Sequence, residues 1–228
     1  MKKNLFVIVL LVLLVLSIAA NTVQLATSQE PRLTGGQSRF IKLMEPDRPM
    51  SEEERKAHAR EFDNLYSRLV LADDIETFKK AADKGGDWKA GAAMFGIMEI
   101  SDRKYSNSPM DEALRKKAFS ELAGLTGHEN PHVRGAAFYA LGKCRRYEYK
   151  EVVADHMIDI KRKGWRHDPD ICLVFPPCLK RLDPNEPDGL VTTVYTAGYR
   201  ALQEMLEDKS ALEYIKQRQN SNSEAGDY

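Results

Sequence analysis

His128-Glu129-Asn130-Pro131-His132 spells H-E-x-x-H, the signature in which two histidines bind zinc and a glutamate polarises the metal-bound water. That chemistry needs both imidazoles one turn apart on the same face of a helix, because only then do their ring nitrogens converge on one metal. Pro131 lies between them, and a proline inside a helix removes a hydrogen bond and collides with the preceding turn. The same residues are better read as a loop ending at Asn130 and a helix that begins at Pro131, which leaves His128 outside the helix. A zinc site also needs a third ligand. No downstream motif supplies one, and His156 and Glu151 are merely available. Zinc hydrolysis with His128 and His132 as ligands and Glu129 as base is therefore kept only as the alternative reading, and no cofactor is expected.

Other chemistry-bearing residues group by charge. Arg145, Arg146, Tyr147, Tyr149 and Lys150 form a basic turn with aromatics. Lys161, Arg162, Lys163, Trp165 and Arg166 form a second, suited to a phosphate, an anionic glycan or an acidic partner segment. Basic side chains at a helix C-terminus also complement the helix dipole, which is the plainer account of the second cluster. The two turns are expected at opposite ends of one helix, not in one patch. His156 lies near an apolar face and reads as a core histidine. The run from Asp183 to Gly189, D-P-N-E-P-D-G, has its glycine one place late for a calcium loop and lacks the closing glutamate, so it reads as a turn. There is no P-loop, dinucleotide fingerprint, C-x-x-C or G-x-S-x-G. Of the three cysteines, Cys144, Cys172 and Cys178, at least one is unpaired within a monomer. In an unbroken helix Cys172 and Cys178 would lie about 9 Å apart, too far to bridge, but Pro176-Pro177 interrupts the segment and leaves the pairing open.

The elements that position these residues are helical. Ser51 followed by Glu54 is a capping box for a helix toward Val70. Asp73 or Asp74 opens a shorter helix to Asp83. Asn130 caps a helix with Pro131 at its first position, where no N–H is needed. Val133, Ala136, Ala137, Ala140 and Leu141 then recur at spacings of three and four, one apolar stripe. Ser108-Pro109-Met110-Asp111 caps a run to Leu125, Glu148–Ile160 carries a broad apolar face, and Leu190–Leu206 follows the Asp183–Gly189 turn. No segment shows sustained period-two alternation, so no sheet is expected.

The Asn130–Gly142 segment has counterparts. Gly91–Met98 matches Gly135–Gly142, 44 positions on, and Asp168–Leu179 matches Asn130–Leu141 after 38 positions. Repeats of helix pairs recur at roughly 40–47 residues. With Asn130, Pro131, Val133, Arg134, Ala136, Ala137, Ala140, Leu141 and Gly142, the middle unit resembles the HEAT-repeat family, including its short bacterial PBS-lyase HEAT-like kind. The first unit lacks the proline; the third has Cys172 in place of the arginine and prolines within the helix. The resemblance covers about residues 85–207. It implies an all-α fold, a short right-handed α-α solenoid of about three helical hairpins with an N-terminal capping hairpin. It also implies protein or peptide binding along the face of the second helices, residues 110–125, 149–161 and 190–206.

Lys2 and Lys3 precede an uncharged apolar run from Leu5 to Ala20 with small residues at Ser17–Ala20, the pattern of a secretory signal over residues 1–20. Residues 21–49 read as a polar linker or arm, 50–216 as the helical domain and 217–228 as a flexible tail. Lysine plus arginine equals aspartate plus glutamate, 34 each. Such a balance supplies no bulk attraction to nucleic acid or anionic membrane. The expectation is an exported monomer, periplasmic or extracellular, that touches membrane only if its signal stays uncleaved. It acts as a non-catalytic scaffold for an unknown protein or peptide.

Overall fold

The computed structural model describes residues 34–45, 49–85, 87–102, 112–163, 169–174, 189–206 and 210–224. The expected signal, the Ser108–Asp111 cap, Trp165, Arg166, Cys178, Pro176-Pro177 and most of the Asp183–Gly189 turn lie outside them. Among the described residues no helix is long and apolar enough to cross a membrane. The fold is all-α with one small ribbon. Its elements are α1 (Gly35–Leu43), α2 (Glu52–Leu71), α3 (Ile75–Lys84), α4 (Asp87–Ser101), α5 (Glu112–Leu125) and α6 (Pro131–Lys143). A 3-10 turn (Tyr147–Tyr149) leads into α7 (Lys150–Lys163), followed by β1 (Asp170–Val174), β2 (Gly189–Thr193), α8 (Val194–Leu206) and α9 (Ala211–Glu224).

The caps act where the sequence places them. Ser51 Oγ accepts from the Glu54 N–H at 3.2 Å, and Glu54 Oε2 accepts from the Ser51 N–H at 2.8 Å. Asp74, not Asp73, caps α3, accepting from the Thr77 N–H at 3.0 Å. Asp73 instead takes the left-handed conformation (φ 58°) that turns the chain out of α2. Asn130 Oδ1 accepts from the His132 N–H at 2.9 Å, and Pro131 opens α6.

The core centres on α4 and α6. Every residue from Lys89 to Met98 is buried, and α6 buries Val133, Gly135, Ala136, Ala137, Phe138, Ala140, Leu141 and Gly142. A single apolar stripe understates α6: it is enclosed by α4, α5, α8 and β1, as a helix apolar nearly all round must be. Small residues set these approaches. A Cβ on Gly91 would stand 3.0 Å from the His132 carbonyl oxygen, and one on Gly142 2.5 Å from Ala201 Cα. The matched cassettes 91–98 and 135–142 thus lie on helices packed directly together.

Five expectations are corrected. Within the expected third repeat helix, Asp168–Leu179, residues 170–174 are not helical but form β1, antiparallel to β2, with Ile171 opposite Thr192 and Leu173 opposite Leu190. Ile171 and Leu173 are buried, and β1 packs on α4 and α6 while β2 packs on α8. A sheet therefore exists, and Leu190–Leu206 divides into a strand and α8. Within the expected arm 21–49, residues 35–43 form α1, and Phe40 and Met44 are fully buried. Within the expected tail 217–228, α9 continues to Glu224.

Candidate functional site

The H-E-x-x-H residues are built into a turn. The helix begins at Pro131, so His128 stands before it. His128 Nδ1 accepts the Asn130 N–H at 3.0 Å, which requires that nitrogen to be unprotonated and assigns the proton to Nε2. Nε2 faces Asp83 Oδ1 at 3.0 Å, at the end of α3. His132 Nδ1 lies 3.2 Å from the Cys172 carbonyl oxygen of β1, so as the N–H tautomer it donates there. Arg134 binds the loop from the other side, donating from Nη1 to the His128 and Glu129 carbonyls at 2.8 Å each. The two imidazoles are therefore aimed at different elements. Among the described residues no three His, Cys, Asp or Glu side chains are placed to hold a metal ion.

The Arg145–Lys150 turn has a more open geometry. Arg145 adopts φ 49°, and its N–H and that of Arg146 donate to the Gly142 and Leu141 carbonyls, closing the end of α6. Arg146 is structural: its guanidinium lies 3.9 Å from the Phe119 ring centroid and pairs with Glu148 at 3.2 Å. Tyr149 packs against the core, and burial raises its phenol above the usual range. Arg145 and Tyr147 face solvent, Tyr147 at 47% exposure, and the Lys150 ammonium sits 3.6 Å from the Tyr147 ring centroid. Of the five, Arg145, Tyr147 and Lys150 are accessible to a partner, Arg145 beside Glu204 of α8 at 3.9 Å.

Sequence reasoning missed the neighbour of this turn. Tyr214 of α9 lies within the electrostatic reach of Lys150 and Tyr147, and burial raises its phenol. α9 is fixed against α7 by Arg218, whose Nε and Nη2 donate to the two Asp155 oxygens at 2.9 and 2.8 Å, with Glu151 3.1 Å from Nη1. Asp155 holds that guanidinium even more firmly charged than usual. The signal was present in Ala211, Tyr214, Ile215 and Arg218, spaced i, i+3, i+4, i+7. At the other end of α7, Lys161 and Arg162 are exposed and Lys163 pairs with Asp159 at 2.6 Å. The two basic turns thus flank a 14-residue helix, about 21 Å long, and do not merge. His156 is half-buried on α7, and burial lowers its basicity. Cys172 is a free thiol, and Cys144 is partly buried at the end of α6.

No protein-family model matches this chain, and comparison with curated proteins and with solved structures gives no match.

Proposed function

We propose that this chain is an exported, non-catalytic scaffold of the HEAT-like kind. On this reading it binds an acidic protein or peptide segment through the edge formed by Arg145, Tyr147 and Lys150, with Tyr214 beside them. The observation that carries the reading is the exposed Tyr147 ring under the Lys150 ammonium, next to the exposed Arg145 guanidinium. An aromatic face and two cations on one turn suit carboxylates flanked by apolar groups. The repeat reading draws on the direct packing of the matched cassettes of α4 and α6. It loses its third unit to β1, so two hairpins carry it. The zinc reading has no geometric support, since His128 and His132 serve Asp83, Asn130 and Cys172 instead.

The test is a photo-crosslinking residue at Tyr147 in cells, alone and with Arg145→Glu and Lys150→Glu. A discrete crosslinked protein that disappears on charge reversal is expected. Crosslinks unchanged by reversal, or stoichiometric zinc in the purified chain that is lost in His132→Ala, would sink the proposal.

A further inference from the structure

The first described helix is seated as a ligand is seated. α1, GGQSRFIKL, has nine residues with two glycines and a serine. Such a helix does not hold its own shape in water, because nucleation costs more than so few hydrogen bonds return. Gln37, Phe40, Ile41 and Met44 recur at i, i+3, i+4 and i+7, the spacing by which an amphipathic helix lies in a groove. Phe40 and Met44 are fully buried, while Ser38, Arg39 and Lys42 face outward. The Phe40 ring lies 5.5 Å from Phe62 of α2 and 5.5 Å from Phe78 of α3, edge-on to the latter. Arg39 pairs with Glu61 along the rim.

Both ends are held by polar clasps from the body. Gln37 Nε2 donates to Asp74 Oδ2 at 2.6 Å. The Lys89 ammonium of α4, only 4% exposed, donates to the Leu43 and Glu45 carbonyls at 3.1 and 3.2 Å. Those carbonyls lie at the C-terminal end of α1, where backbone acceptors lack a partner within the helix and a cation is favoured. These charge-assisted hydrogen bonds to the end of α1 offset part of the cost of burying the Lys89 ammonium.

We infer that α2, α3 and α4 form a helix-binding groove, which α1 fills in cis as a detachable strap. The groove accepts the same helix from a second copy of the chain once its own strap is disabled. Recognition requires Phe and Met four residues apart and a free carbonyl end on Lys89. The inference is independent of the function proposed above.

A fluorescent peptide of residues 34–45 provides the test, with anisotropy measured against the full chain and its Phe40→Ala/Met44→Ala variant. The wild-type chain, its groove occupied, should bind at least ~10-fold more weakly than the variant, because only the unstrapped fraction is competent. Adding Lys89→Met to the variant should weaken peptide binding again. Equal affinity for both chains, or no binding to a variant that keeps its helical spectrum, overturns the proposal. Hydrogen exchange on the wild-type chain gives an independent reading. The α1 amides should exchange through local opening at least ~10-fold faster than those of α4. Matched protection of α1 and α4, or loss of α3 and α4 protection in the variant, would make α1 part of the indivisible core and overturn the strap.

Discussion

Residues 130–141 and 168–179 follow one sequence pattern, yet residues 131–141 are helical and residues 170–174 are extended. Each opens with Asn or Asp, then Pro, and carries apolar residues at equivalent places. The first is helix α6; the second enters strand β1 at Asp170. Side-chain shape and proline placement account for the difference. The first segment fills its interior with Gly135, Ala136, Ala137 and Ala140, which favour or tolerate a crowded helix. The second offers Ile171, Cys172, Leu173 and Val174, and Pro176-Pro177 would end any helix within two turns, too short to sustain itself. Ile171 and Leu173 then lie two apart, on the same face of a strand, and both are buried. The two segments also meet. The Ile171 side chain occupies the space that a Cβ on Gly135 would take, and His132 reaches the Cys172 carbonyl. Small residues on the helix make room for large ones on the strand.

The sharpest way to break the comparison is at the close approach of α6. Gly142→Val should cost about 3 kcal/mol or more, because its Cβ would meet Ala201 backbone 2.5 Å away, beyond what side-chain repacking can relieve. Gly124→Ala on α5, with open space around it, should stabilise by about 0.5–1 kcal/mol. Urea denaturation of both variants measures the contrast, and equal effects would contradict this packing.

Next in size is the strand itself. Leu173→Ala should cost about 2–4 kcal/mol and Cys172→Ala much less, since only Leu173 enters the core. Equal losses at Leu173 and Cys172 in thermal or urea unfolding would contradict the alternation of a strand with one buried face. Smaller again is His132→Ala, which removes the side chain at the Cys172 carbonyl. It should cost about 1 kcal/mol and speed amide exchange in β1 ahead of α6. Unchanged exchange in β1 would show that the segments do not depend on this contact.

The smallest effect concerns His156, whose imidazole lies against Gly127 in the turn that leads toward α6. Burial lowers its pKa below 6.5, with Asp155 and Asp159 opposing that shift and Arg134 and Lys163 adding to it. The unfolded chain therefore binds the proton more readily. The resulting stability is complete above about pH 6.5 and declines as pH falls from there through the folded value. Urea midpoints from pH 7.5 to 5 should decline less in His156→Gln than in wild type, and parallel curves would remove His156 from the account.

Local chemistry was legible wherever a few neighbouring residues decide the outcome. The Ser51–Glu54 box and the Asn130-Pro131 start of α6 could be read because a cap is satisfied within three or four residues. The proline also placed His128 outside the helix before any geometry was known. In the candidate site, Arg145 and Tyr147 were legible as a basic-aromatic turn. The commitment of Arg146 to Phe119 and the clasp of Arg218 on Asp155 were not, because their partners come from distant segments. The sequence by itself determined the all-α class, the main caps and the small-residue faces of α4 and α6, all products of local propensity. Tertiary structure alone decided that residues 170–174 extend as a strand, that α1 folds around Phe40 and Met44, and that Arg218 of α9 clasps Asp155 of α7. Each of those segments is too short or too polar to hold its shape alone, and gains it only from surfaces that distant parts of the chain provide.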